Sequence, residues 1–93
     1  MSDAPEVVTY VHWRDATMNY GVDEKREDVK LVDLWELGFL FHEDDESITL
    51  TLERDKCMDK TRIRLTIPKV NIQERYDVAL KDFLRWAKRK NNG

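Results

Sequence analysis

Residues 29–43 read VKLVDLWELGFLFHE, and residues 47–54 read SITLTLER. Asp44–Glu46, a short acidic turn, stands between them. The second stretch alternates cleanly, with Ile48, Leu50 and Leu52 on one side and Thr49, Thr51 and Glu53 on the other. That period of two is the mark of a half-buried strand. The first stretch is apolar for most of its length, and its two faces exchange character around Gly38. A glycine inside a strand pattern marks a bulge or a sharp bend. The pair therefore predicts a hairpin whose first strand bends at Gly38 and serves both sides of a curled sheet. A buried helix over 29–43 is the alternative, and the tight turn that follows favours the strand.

Working outward, Val7–Arg14 (VVTYVHWR) places Val7, Thr9, Val11 and Trp13 on one face and Val8, Tyr10, His12 and Arg14 on the other. Its β-branched and aromatic residues suit a strand. Asp15–Asp28 carries a dense charge run without an apolar stripe and reads as a long loop. Such length marks a mobile or functional connection. Beyond the hairpin, Asp55–Lys60 is a polar turn, and Thr61–Ile67 alternates again with Ile63, Leu65 and Ile67 inward. Pro68 cannot donate to a ladder and ends that strand. Val70 and Ile72 suggest a short fifth strand. From Tyr76 the spacing of Tyr76, Ala79, Leu80, Phe83 and Ala87 is helical, with Asp77 as cap and Lys88, Arg89 and Lys90 at the negative end of the dipole.

The expected fold class is mainly β (α+β). It is a small SH3-like or Sm-like curled five-stranded sheet or barrel with a C-terminal α-helix. The 93 residues form one domain, with a β body over 7–75 and an amphipathic helix over 76–90. The Sm likeness rests on Gly38-Phe39-Leu40-Phe41, the acidic turn, Ile48-Thr49-Leu50, Ile67-Pro68 and Ile72. The Sm-type barrel usually carries its helix first, whereas here the helix is last.

Composition bounds the function. The chain is 41% hydrophobic and 38% charged, a folded core under a charged surface and too apolar for disorder. It has no run of 18 apolar residues to cross a membrane. Met1–Glu6 lacks the basic flank and apolar stretch of a signal peptide. One cysteine, Cys57, leaves no internal disulfide and suggests a reducing cytosol. The formal net charge of −3 hides an asymmetry: residues 1–74 hold 10 Lys/Arg against 17 Asp/Glu, and residues 75–93 hold 6 against 2. The body would repel a nucleic-acid backbone and the C-terminal segment would attract one.

Val11-His12-Trp13-Arg14-Asp15, then Leu37-Gly38-Phe39-Leu40-Phe41-His42-Glu43-Asp44-Asp45, then Ile67-Pro68-Lys69-Val70-Asn71-Ile72 is similar to small uncharacterised proteins of bacteriophage and prophage genomes. Those proteins have a Val-x-Trp-x-Asp opening, a Val-Gly-Trp-Leu centre with an acidic turn, and an Ile-Pro-Lys-x-x-Ile close. The likeness spans roughly residues 7–75. This chain departs in having Phe39 where Trp is common and in its longer C-terminal helix. The resemblance implies a phage accessory protein in the host cytosol, serving counter-defence or host takeover. It would mask a host protein or sequester a signalling nucleotide.

Each candidate site has a plainer reading beside it. His42-Glu43-Asp44-Asp45-Glu46 offers oxygen ligands and an imidazole, but lacks the spacing of a calcium loop or zinc site, so a solvated turn is expected and no metal. Cys57 has only Lys56 and Lys60 near it to activate a thiolate. With Gly21, Gly38 and Gly93 as its only glycines, the chain has no phosphate loop. No enzyme and no cofactor are expected. An anion or nucleotide site would join Tyr10, His12 and Arg14 on the first strand to Arg62, Arg64 and Lys69, with Arg forks on phosphate and an aromatic ring on a base. Against it stands cross-strand pairing of Arg62 and Arg64 with Glu53 or Asp55. Lys81, Arg85, Lys88 and Arg89 form a basic helix stripe with Trp86 nearby, a nucleic-acid footprint that the acidic body disfavours. Trp35, Trp86 and Val78 stand where the core cannot take all of them, and Trp86, flanked by Arg85 and Arg89, resembles an interface anchor. A homo-oligomer is expected on that ground.

Overall fold

The structure, a computed structural model, describes residues 6–16, 30–56 and 59–92. The loop expected over Asp15–Asp28 lies outside these residues apart from Asp15 and Ala16, and so does Cys57. Five strands make one antiparallel sheet: β1 (Val7–Asp15), β2 (Val32–Glu43), β3 (Ser47–Arg54), β4 (Thr61–Pro68) and β5 (Ile72–Ala79). A 3-10 turn, Lys69–Asn71, joins β4 to β5, and α1 (Leu80–Asn92) follows β5 directly.

The strand order is β4-β3-β2-β1-β5. Consecutive strands pair from β1 to β4, and β5 returns beside β1. β4 and β5 are the two edges, so the sheet is open and not a closed barrel. It is nevertheless curled. Val11 and Trp13 of β1 form one buried cluster with Ile48 and Leu50 of β3 and Ile67 of β4, and Leu34, Leu40, Leu65 and Ile72 pack against it. β1 and β3 are separated by β2, and their side chains meet only because the sheet bends toward itself.

β2 makes that bend. Val32–Phe39 pairs with β1, and Phe39–Glu43 pairs with β3. The register shifts between Leu40 and His42, so the irregularity falls at Phe41, not at Gly38 where the sequence places it. Gly38 answers to a different demand: a Cβ there would stand 2.9 Å from the Thr51 carbonyl oxygen. The bare glycine lets β3 approach.

The C-terminal boundary also moves. Tyr76–Ala79 is strand, and the helix begins at Leu80. Pairing with β1 overrides the local helical spacing, because Tyr76 lies opposite Tyr10 and Asp77 opposite Thr9. Asp77 is thus no helix cap: its carboxylate accepts the Thr9 hydroxyl at 2.9 Å. No residue of α1 is buried, and the helix touches only β5 and β1 appreciably. The radius of gyration, 17.0 Å, exceeds the ~12 Å of a compact domain this size.

The far end of the β3–β4 hairpin also lies beyond the core. Leu52 and Ile63, expected inward, are exposed, and Ile63 has a left-handed φ of 58°. Thr51, expected outward, is buried, and its hydroxyl points to the carbonyls of Glu53 and Arg62, both 2.8 Å away.

Candidate docking surface

Antiparallel partners stand on the same side of a sheet, so the registers assemble a surface on the face turned away from the core. Its rows across β5, β1 and β2 are Val78–Val8–Phe39, Tyr76–Tyr10–Leu37 and Glu74–His12–Trp35. Arg14 and Asp33 follow at the next β1–β2 position. Val11 and Trp13 take the opposite face and the core, so the alternation of β1 leaves Tyr10, His12 and Arg14 on this one.

The surface is apolar, aromatic and open. Trp35 is 61% exposed, Leu37 60%, Tyr76 59% and Val78 43%. The Tyr10 and Tyr76 rings stack with centroids 6.0 Å apart, and the His12 and Trp35 rings lie 4.8 Å apart at 11°. Asp33 fixes the end of the rows. Its Oδ1 bonds His12 Nε2 at 2.8 Å and accepts from Arg14 Nε at 3.0 Å. The hydrogen bond with His12, then that from Arg14, holds the Asp33 carboxyl below its usual range. The pair pins the imidazole that stacks on Trp35.

The residues expected to form an anion site do not all meet. Tyr10, His12 and Arg14 share a face, but Arg62 and Arg64 stand on β4, with β2 and β3 between. Arg62 pairs with Glu53 at 2.9 Å, and Arg64 lies over the Phe41 ring at 4.9 Å. Lys69 pairs with Glu43 at 2.8 Å. Glu43 is also gripped by Arg75, which reaches Asp77 as well. Hydrogen bonds from Arg75, then Lys69, lower the Glu43 carboxyl to about 2. This chain of charges ties β5 and the 3-10 turn to the β2–β3 hairpin across the open side of the sheet.

The acidic turn is explained by its own backbone. Asp44 accepts from the amides of Glu46 and Ser47, both at 2.8 Å, and those bonds lower its carboxyl. Among the described residues no three His, Cys, Asp or Glu side chains group to hold a metal.

On α1, Trp86 is 52% exposed and touches Phe83 with centroids 6.1 Å apart. Leu84 and Phe83 are also exposed. Arg85 meets Asp82 only loosely, at 3.9 Å, and Arg89 lies exposed in the last turn.

Sequence reasoning finds Tyr10, His12, Trp35, Val78 and Trp86 but misses Asp33, Leu37 and Tyr76. The period-2 runs Asp33-Trp35-Leu37-Phe39 and Glu74-Tyr76-Val78 carry the signal, but only the strand order places them side by side. No described helix is long and apolar enough to cross a membrane. No protein-family model, curated protein or solved structure matches the chain.

Proposed function

We propose that this chain is a non-enzymatic binding module that acts by occupancy, docking a protein partner on the outer face of β5, β1 and β2. One observation carries the reading: Trp35, Leu37, Tyr76 and Val78, joined across β1 by Val8 and Tyr10, form an exposed apolar patch on the sheet. Patches of that kind mark interaction sites. Tyr and Trp on strands bring large contact area and lose little side-chain freedom on binding. A protein partner fits this face better than a small nucleotide, since Arg14, Arg62 and Lys69 are each already engaged by a carboxylate. The phage-type role, masking a host protein in the host cytosol during counter-defence or takeover, rests on the sequence resemblance.

The test is capture from host lysate with wild type and with Trp35→Glu. A partner retained by wild type and lost by the variant supports the reading, and a partner held equally by both overturns it.

A second reading has its own observation. Lys81, Lys88, Arg89 and Lys90 are exposed on α1, and no ion pair involving them is found among the described residues. A nucleic acid bound there would dissociate steeply with added salt. Changing Lys88, Arg89 and Lys90 to Glu would abolish it.

A further inference from the structure

We infer that the outer sheet face of one copy is covered by α1 of a second copy, and reciprocally, so that the free protein is a two-fold dimer. This rests on reading that face as a docking surface, and it names the occupant.

The chain carries two unsatisfied apolar surfaces that do not cover each other. One is the sheet face with Trp35, Leu37, Tyr76 and Val78. The other is the helix, where Phe83 is 37% exposed, Leu84 44% and Trp86 52%. α1 starts one residue after β5 ends, its first amide bonds the Glu6 carbonyl at 2.9 Å, and none of its residues is buried. The helix therefore leaves the sheet at the β1–β5 end and does not fold back over it.

The charges select the pairing. α1 holds five cations, Lys81, Arg85, Lys88, Arg89 and Lys90, against Asp82 alone. With a chain total of −3, the remaining residues sum to −7. Two helices packed on each other would set +4 against +4. A helix on a partner's sheet face instead meets Glu74 within the apolar rows, on a body whose summed charge is negative.

The dimensions agree. Thirteen residues make a helix about 20 Å long, and the face from Glu74 to Val78 runs about 13 Å along the strand. A specific interface buries about 800 Å² per copy, and two reciprocal contacts share that requirement between the sheet face and the helix. An isologous exchange also closes on itself and leaves no open surface for fibre growth. Any other partner of the sheet face must displace this helix.

The experiment is sedimentation across a dilution series on wild type, Trp35→Glu and Leu84→Glu, then on the two variants mixed. Both positions are exposed, and circular dichroism verifies their folds. The expected results are a wild-type dimer, about tenfold or greater weakening in each variant alone, and partial recovery on mixing, because a mixed pair keeps one intact face–helix contact. Tryptophan emission of wild type shifts to the blue as the dimer forms. A wild type that stays monomeric overturns the inference, as does a dimer indifferent to Trp35→Glu, or two weakened variants that fail to recover together. A monomer leaves the lysate test of the docking face standing on its own result.

Discussion

Arg75 and Glu43 meet in a two-pronged ion pair across the open side of the sheet, with Nη1 donating to Oε2 at 3.0 Å and Nη2 to Oε1 at 2.9 Å. The same guanidinium donates to both oxygens of Asp77 at 3.1 and 3.0 Å. Paired forks of this type are the strong form of the charge-assisted bond. The folded Glu43 carboxyl lies at about 2, below its ordinary 4.5. A depressed carboxyl contributes stability above its unfolded value, and that contribution is lost as pH falls through the folded one. Thermal melts should therefore fall between about pH 4.5 and 2. Arg75→Ala should flatten the slope in that window. It should cost about 1–2 kcal/mol at neutral pH, a figure reduced for the partial exposure of both side chains.

Gly38→Ala tests the close approach of β2 and β3. The added methyl would lie 2.9 Å from a backbone oxygen, which cannot rotate away. A loss of about 1–3 kcal/mol in urea unfolding is expected. An unchanged midpoint would show that the two strands separate without cost.

Ile63 is the reverse case. A β-branched residue at φ 58° is strained, and its side chain is 68% exposed, so little packing offsets the strain. Ile63→Gly should raise stability by about 0.5–1 kcal/mol, the relief of strain outweighing glycine's entropy. Chemical denaturation would detect the gain.

Trp13 and Trp35 should respond oppositely to truncation. Trp13 is 4% exposed in the core. Trp13→Ala should cost about 3–5 kcal/mol. Trp35→Ala, measured on dilute protein, should stay within about 1 kcal/mol of wild type, since Trp35 touches the solvent more than the core. A large loss at Trp35 would make that residue structural.

Alternation revealed most of the sheet. Period two placed Val11 and Trp13 on one face of β1 and turned Ile48 and Leu50 of β3 inward, and these four meet in the core. It failed at Leu52 and Ile63, because alternation tells which side a residue faces and not whether anything covers that side. It failed again at Tyr76–Ala79, where Tyr76, Ala79, Leu80 and Phe83 fit a helix while Glu74, Tyr76 and Val78 fit a strand. The neighbour that decides between them, β1, lies more than 60 residues earlier. The docking surface was legible one strand at a time. That Tyr10 would meet Tyr76, or that two strands would stand between Arg62 and Arg14, depends on strand order, and local periodicity is silent on that.

The bond from Thr9 to Asp77 joins residues 68 apart in sequence. β1 sits between β2 and β5, so one whole flank of it stays unpaired until nearly the last strand has been made. Closing loops of that length costs entropy before any contact repays it, and domains dominated by such pairings fold in milliseconds to seconds. The chain should therefore fold late and slowly, after synthesis reaches Ala79, with the free flank of β1 as an exposed intermediate edge. A growing chain of this protein is at its most vulnerable to aggregation and proteolysis just before β5 arrives.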